Sequence, residues 1–133
     1  MGTSDIYRVV EGDPDVVDSL VLGVEQPNGR YYMPLFVVLR EGAMLDDALR
    51  ARLNGEIRTA LTPRHVPDEI VRIAEVPRTL NGKKLEVPIK KLLLGVPPER
   101  ALNPGATANP RALDFFVAFA STHTSDGSVL PPG

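Results

Sequence analysis

The feature that most restricts the fold is a pair of strand-like segments joined by Asn28-Gly29. The segment VVDSLVLGVE at 16–25 is rich in β-branched residues, and YYMPLFVVL follows at 31–39. An Asn-Gly pair readily adopts the positive φ angles that a tight hairpin turn needs. Pro34 is compatible with the second strand only near its start or on a sheet edge. The sequence therefore predicts a β-hairpin over these residues.

Two segments, one on each side of the hairpin, have helical character, and a third segment has strand character. Thr3 or Ser4 could cap a short helix that runs to about Val10. Residues 45–61 repeat Leu or Ile every four positions, which is typical of an amphipathic helix, and Pro63 would end it. The stretch EIVRIAEV at 69–76 alternates well enough to predict a third strand.

The C-terminal half predicts two more helices around a proline-rich connector. Pro88 suits the first turn of a helix that ends near Leu94, with Gly95 in the left-handed conformation after it. Asn109 is predicted to cap a final helix and Pro110 to open it.

This order of elements predicts a small α+β domain, in which helices pack on a short, largely antiparallel sheet that includes the hairpin. We assign residues 1–120 to that domain and expect 121–133 to form a flexible tail.

Composition excludes several classes of function. With a net charge of −2 the chain lacks the basic excess that nucleic-acid binding requires. It has no cysteine, and His65 and His123 lack accompanying carboxylates at ligand spacing, so no metal site is predicted. The apolar runs are too short to cross a bilayer, and no signal pattern opens the sequence. We therefore expect a cytoplasmic protein without a membrane partner.

The segment PRTLNGK at 77–83 is the best candidate for chemistry. A lysine held beyond a glycine turn can be aimed at anions that arrive from outside the domain. Its ammonium is a compact charge that can bridge a carboxylate and a phosphate while negative charge moves between them. A glycine-lysine pair alone is weak support, since most loop lysines are simply solvated. A nucleotide-binding P-loop is excluded, because Pro77 and Lys84 occupy positions that must be Gly and Ser or Thr.

A longer match gives this loop its context. The run DEIVRIAEVPRTLNGKKLEVPIKKLLLG at 68–95 resembles the C-terminal lid domain of adenylate-forming enzymes, a superfamily that includes acyl-CoA synthetases. In that superfamily a strand leads into Pro-(Lys/Arg)-Thr-x-x-Gly-Lys. The opening at 2–25 resembles the segment just after the family's hinge, where Gly-Thr-x-(Glu/Asp)-Ile begins a helix.

Within the superfamily the likeness is greatest to the acetoacetyl-CoA synthetase branch. RHVPDEI, GKKLEVPIKKLLLG and the connector LNPGATANPRALDFF at 102–116 carry it. Residues 96–120 would then be a C-terminal extension specific to that branch. Leu85 and Glu86 stand where many relatives place an arginine, and the acetoacetyl branch shares that departure.

The resemblance implies roles for individual residues. Lys83 would be the catalytic lysine of adenylation and a target of reversible acetylation, which involves a protein lysine acetyltransferase and a deacetylase. The loop residues that would support it are Pro77, Thr79 and Gly82. Arg58 would face the phosphates of CoA, although a surface arginine favoured by the helix dipole is an equal reading. Gly2 would border the pantetheine tunnel.

The resemblance also implies what the chain works with. The parent enzyme would use ATP with Mg²⁺, CoA and a small carboxylic acid, whose pockets belong to a large N-terminal domain acting in cis. The chain alone should hold no cofactor tightly and should not catalyse. Two alternatives stay open. A stand-alone lid-like binding or regulatory module would lack a large adenylating domain upstream, and a peptide-synthetase lid would precede a carrier-protein domain.

Overall fold

The computed structural model describes residues 3–27 and 29–124, and these form two compact units. The first unit contains residues 3–22 and 33–75, and the second contains 23–27, 29–32 and 76–124. The helices are α1 (Thr3–Val10), α2 (Asp47–Ala60), α3 (Glu86–Leu93), α4 (Pro98–Ala101) and α5 (Leu113–Thr124). The strands are β1 (Val16–Val21), β2 (Val24–Glu25), β3 (Tyr31–Tyr32), β4 (Pro34–Leu39) and β5 (Glu69–Arg72). This mixture of helices and short strands confirms the predicted α+β class.

The first unit is built on a three-stranded sheet in the order β1-β4-β5. β1 runs antiparallel to β4, with Leu20 opposite Phe36. β4 runs parallel to β5, with Leu35 opposite Ile70. Side chains on both faces of the central strand are buried, which explains why LFVVL is an uninterrupted apolar run rather than an alternating one.

Helix α2 connects β4 to β5, and a crossover of this kind is what a parallel strand pair requires. The Asp46 carboxylate caps the helix by accepting a 2.8 Å hydrogen bond from the Leu49 N–H. The predicted apolar stripe is confirmed, because the side chains that α2 buries are Leu49, Leu53 and Ile57. They join a core formed with α1 and the sheet. The helix is shorter than predicted, since Leu45 and Leu61 lie outside it.

The predicted hairpin is present, but its first strand is divided. β1 ends at Val21, and β2 forms a separate two-stranded ladder with β3 in the second unit. The Tyr31 ring lies against the backbone at Gly23, and a side chain at that position would displace the ring. Gly29 has the predicted positive φ, +87°, whereas Asn28 lies outside the described residues. Pro34 begins β4, as its chemistry requires.

Helices α3 and α5 pack together in the second unit. The start of α3 near Pro88 is confirmed, and Gly95 ends the segment with a φ of +95°. Side chains buried from these helices include Ile89, Leu93, Leu113 and Phe116. α5 continues to Thr124, four residues into the segment that we predicted to be a tail. Of the helices that the structure describes, none is long and apolar enough to span a membrane.

The prediction for Asn109 was wrong in its detail. A short 3-10 turn, Pro110–Ala112, precedes α5, and the Asn109 side chain makes no capping hydrogen bond to it. The amide is engaged elsewhere, by backbone groups at Val76 and Arg78. These two bonds hold the amide towards the Val76–Arg78 segment rather than towards the start of α5.

Candidate functional site

The predicted catalytic loop is a tight turn closed by backbone hydrogen bonds. The Thr79 N–H donates to the Lys83 carbonyl at 2.8 Å, and the Gly82 N–H donates to the Thr79 carbonyl at 2.8 Å. Behind the turn the Leu85 N–H donates to the Pro77 carbonyl at 3.0 Å. Gly82 has a φ of +85°, a left-handed conformation that side-chain-bearing residues adopt at a cost. The loop therefore brings together the four residues that the sequence singled out: Pro77, Thr79, Gly82 and Lys83.

Two side chains reinforce the turn from inside. The Thr79 hydroxyl accepts a 3.1 Å hydrogen bond from the Lys83 N–H. The Arg78 guanidinium donates a 2.8 Å hydrogen bond to the Gly82 carbonyl. Arg78 and Lys84 also face each other across an antiparallel bridge. The threonine and the basic residue of the motif therefore bind different backbone groups of the turn, the Lys83 N–H and the Gly82 carbonyl.

The Lys83 ammonium is available to an incoming anion. Its side chain is exposed, and across residues 3–27 and 29–124 it has no hydrogen-bonding or ion-pair partner. Leu80 and Val87, at 68% and 61% exposure, present apolar surface on the same loop and on the first turn of α3. A fixed backbone that carries a free ammonium beside exposed apolar groups suits a site completed by another surface.

The C-terminal connector also holds this loop. Asn109 accepts a 2.9 Å hydrogen bond from the Arg78 N–H and donates one of 2.9 Å to the Val76 carbonyl. The Ala108 N–H donates to the Arg78 carbonyl at 2.9 Å. Thr79 and Thr107 form an antiparallel bridge. Sequence reasoning missed these contacts, because no local pattern links residues thirty positions apart.

The other predicted site residues fall elsewhere. Arg58 lies in the last turn of α2, in the first unit, with an exposed side chain. Among the residues that the structure covers, it has no hydrogen-bonding or ion-pair partner. Gly2 lies outside the described residues. Residues 3–27 and 29–124 contain no group of three His, Cys, Asp or Glu that could hold a metal ion.

An ionic cluster around the buried Asp13 in the first unit was not predicted. The side chain of Asp13 is fully buried and accepts two 2.9 Å hydrogen bonds from Arg52. Arg52 also donates to Asp15 at 2.6 Å, and Arg40 donates to the same carboxylate at 2.6 Å.

These contacts shift the ionisation of the cluster. Hydrogen bonds from Arg52 lower the pKa of Asp13 and of Asp15, although burial opposes both shifts. Burial raises the pKa of the neighbouring Glu56, and the Asp13 carboxylate adds to that rise. The cluster fixes the turn between α1 and β1 against α2. Its members are up to 39 residues apart in sequence, so no spacing rule could have revealed it.

Comparison with known proteins bears on both the fold and the loop. The family "AMP-binding enzyme C-terminal domain" matches residues 8–83, more than half of the chain, and its match ends at Lys83. Acetoacetyl-coenzyme A synthetase of Rhizobium meliloti is 37% identical over 88% of this chain. Acetoacetyl-CoA synthetase of Caenorhabditis elegans is 35% identical over 90% of it. The chain covers 17% of the length of each of these relatives.

Solved structures give the same answer. Acetoacetyl-CoA synthetase from Streptomyces lividans superposes with a TM-score of 0.86 at 48% identity, over 93% of this chain and 18% of that one. Brucella canis acyl-CoA synthetase superposes with a TM-score of 0.57 at 27% identity, over 63% of this chain and 16% of that one. From the match over 8–83 and the shared fold, the chain belongs to the AMP-binding enzyme C-terminal domain family.

Proposed function

We propose that this chain is the C-terminal catalytic lid of a cytoplasmic, ATP-dependent acid–CoA ligase whose acid is acetoacetate. The observation that carries the proposal is the free, exposed ammonium of Lys83 on a loop whose backbone is fixed from both sides. The choice of acetoacetate rests on likeness to acetoacetyl-CoA synthetases over most of the chain. A large N-terminal domain, acting in cis, supplies the pockets for ATP and the acid.

The first half-reaction explains why a lysine is needed. A carboxylate oxygen of the acid attacks the α-phosphorus of ATP, and the bond to pyrophosphate breaks, which leaves an acyl-adenylate. Negative charge gathers where the carboxylate meets the α-phosphate. A preorganised ammonium at that point stabilises the transition state more than the separated reactants. Lys83 has the charge and the freedom for this task, because no residue of the described chain neutralises it.

The second half-reaction uses a different pose of the lid. The CoA thiol gives up its proton and attacks the acyl carbon, and AMP leaves. The lid rotates between the two steps, so that Lys83 is withdrawn and Arg58, with Gly2, contributes to the CoA tunnel. Magnesium accompanies ATP as part of the substrate. We assign its ligands to the N-terminal domain, since the described residues supply no ligand cluster.

Single-turnover kinetics of each half-reaction in the full-length enzyme test the proposal. Lys83→Ala should slow acyl-adenylate formation at least about a hundredfold, the scale of a lost electrostatic contact of roughly 3 kcal/mol. Thioester formation from supplied acyl-adenylate should stay near wild type. Lys84→Ala is the matched control, because the substitution leaves the backbone bridge between Lys84 and Arg78 in place, and it should change either step by no more than a fewfold.

Two outcomes would contradict the assignment. A severe adenylation defect in Lys84→Ala with none in Lys83→Ala would mean that the neighbouring lysine does the chemistry. An equal fall of both half-reactions in Lys83→Ala would point to a structural role for the loop. The isolated 133-residue chain should show neither ATP–pyrophosphate exchange nor thioester formation, and turnover by highly purified chain would refute the need for a second domain.

The exposure of Lys83 also makes it a candidate for enzymatic acetylation by a protein lysine acetyltransferase, reversed by a deacetylase. Acetylation would remove the charge and replace the ammonium with a bulky amide. The modified full-length enzyme should lose adenylation and regain it on deacetylation. Quantitative acetylation of Lys83 with full activity, measured by mass spectrometry alongside kinetics, would reject both the control and the catalytic role.

A further inference from the structure

The Lys83 loop depends on a segment that lies outside the family match. The match ends at Lys83, whereas Thr107, Ala108 and Asn109 belong to the connector that follows α4. Asn109 and Ala108 pair with the N–H and the carbonyl of Arg78, and Thr107 forms an antiparallel bridge with Thr79. The part of the chain that carries the lysine and the part that holds its loop are therefore separate in sequence.

Asn109 is the centre of this attachment. Its amide oxygen accepts from the Arg78 N–H at 2.9 Å, and its amide nitrogen donates to the Val76 carbonyl at 2.9 Å. The side chain thus bridges the peptide groups on either side of Pro77 in the way that a paired strand would. Pro77 itself has no N–H to donate, and Asn109 binds the two backbone groups that flank it.

The bridge lies one step from the lysine. Arg78, whose N–H Asn109 fixes, donates its guanidinium to the Gly82 carbonyl at 2.8 Å. Gly82 immediately precedes Lys83, and Thr79, which is bridged to Thr107, accepts from the Lys83 N–H. If the Val76–Arg78 segment became mobile, two contacts next to Lys83 would weaken: the bond from Arg78 to the Gly82 carbonyl and the bond from the Lys83 N–H to Thr79. The lysine side chain, by contrast, has no hydrogen-bonding or ion-pair partner among the described residues.

We infer that Asn109 is a positioning residue for Lys83, and that the C-terminal connector sets the precision with which the lysine enters the adenylation site. The inference rests on the proposed role of Lys83. Asn109 touches no reacting atom. It acts by reducing the number of conformations that the turn can adopt, so that the ammonium arrives where charge develops.

The test compares Asn109→Ala with Asn103→Ala in the full-length enzyme. Asn103 is an asparagine of the same connector whose side chain makes no capping bond, so its loss controls for the substitution itself. Asn109→Ala should slow adenylation about ten- to a hundredfold, the scale expected for a misplaced catalytic group. It should leave thioester formation from supplied acyl-adenylate near wild type. Asn103→Ala should change neither step more than twofold.

Asn109→Asp supplies a readout that general destabilisation would not move. A carboxylate can still accept from the Arg78 N–H, but it faces the Val76 carbonyl oxygen without a donor. Once protonated, the carboxyl regains a donor for that carbonyl. An aspartyl carboxyl ordinarily takes up its proton at about pH 4, so the adenylation rate of Asn109→Asp relative to wild type should rise as the pH falls from 8 towards 4.5. The same ratio for Asn109→Ala should stay flat.

Hydrogen exchange at the loop amides measures the positioning independently of catalysis. The amides of Thr79 and Lys83 should exchange at least about tenfold faster in Asn109→Ala and remain protected in Asn103→Ala.

If Lys83→Ala left adenylation intact, the proposed function would be refuted, whatever the result for Asn109. If Lys83→Ala abolished adenylation while Asn109→Ala did not affect it, only the positioning role would be refuted. Equal loss of both half-reactions in Asn109→Ala would also refute the positioning role. If Asn109→Ala fails to fold, the pH profile of Asn109→Asp decides whether Asn109 positions Lys83.

Discussion

The Thr79 hydroxyl and the Lys83 N–H are joined by a 3.1 Å hydrogen bond across the turn, while the Thr79 N–H reaches the Lys83 carbonyl at 2.8 Å. The peptide groups on both sides of the lysine are therefore held by one threonine. This arrangement fixes the direction in which the side chain leaves the loop without using the ammonium itself.

Removing the Thr79 hydroxyl should weaken that control. Thr79→Val keeps the shape of the side chain but leaves the Lys83 N–H without its acceptor, at a cost of about 1 kcal/mol. Adenylation in the full-length enzyme should fall about three- to tenfold, and thioester formation should be unchanged. Thr79→Ser retains the oxygen and should stay close to wild type. If the serine and valine variants lost adenylation equally, the hydroxyl would not be the group that matters.

Gly82 should be sensitive to conformation rather than to space. A Cβ added there would meet no atom within 4 Å, but the φ of +85° strains any ordinary L-residue. Gly82→Ala should cost about 1–2 kcal/mol of stability and slow adenylation severalfold. Gly29→Ala is the matched control, since its φ is +87° and its surroundings are equally open. Thermal unfolding should give similar losses for both, and adenylation should fall in Gly82→Ala alone.

Arg58 offers a test of the second half-reaction. Its exposed guanidinium has no partner in the part of the chain that is described, so a CoA phosphate could bind it without breaking an existing contact. Arg58→Ala in the full-length enzyme should raise the KM for CoA roughly tenfold at low salt and spare adenylation. Arg64→Ala removes another exposed arginine of the same unit. Equal CoA affinities in the two variants would leave Arg58 as an ordinary surface residue.

The ionic cluster around Asp13 should give stability a defined pH dependence. Folding lowers the pKa of Asp13. The stability that Asp13 contributes is therefore present above the ordinary pKa of an aspartate and is lost as the pH falls through the folded-state pKa. Asp13→Asn should cost on the order of 1–2 kcal/mol near pH 7. The difference in Tm from wild type should shrink below about pH 4.

Glu56 acts in the opposite sense, because its pKa is raised and its contribution is lost as pH rises. That loss occurs above the ordinary pKa of a glutamate, which is a higher pH range than the one in which the contribution of Asp13 is lost. Glu41→Gln, at an exposed loop position, is the control and should show no such pH-dependent difference. If the Tm difference between Asp13→Asn and wild type stayed constant from pH 7 to pH 3, the carboxylate charge would not be what stabilises the cluster.

Local chemistry explains what could be predicted from the sequence. The positive φ of Gly29 and Gly95 and the leucine stripe of α2 depend on a few neighbouring residues, so they follow from steric and periodic rules. The family match covers the loop up to Lys83. The parallel pairing of β4 with β5 could also have been predicted, because a strand, a helix and a second strand in that order indicate a parallel pair.

Long-range side-chain contacts explain most of what was missed. Asn109 has the residue type and position of a helix cap, and only the fold shows that its amide is used by a segment more than thirty residues earlier. Asp13 and Arg52 are likewise joined only by the packing of α2 against the start of β1. In both cases local preference was outweighed by a tertiary partner.

The parallel pair of β4 and β5 has a consequence for the order of folding. Pro34 and Glu69 are neighbours in the sheet, yet a whole helix separates them along the chain, whereas Val21 and Leu35 are joined by a short hairpin. Pairings between nearby segments cost less loop entropy and form sooner. We therefore expect β5 to join last, after α2 has closed the crossover, so that φ-values are high at Val21 and Leu35 and low at Ile70. Until then the backbone groups of β4 that later bind β5 stay unpaired, which makes this edge the place where the folding chain is most open to pairing with a second molecule.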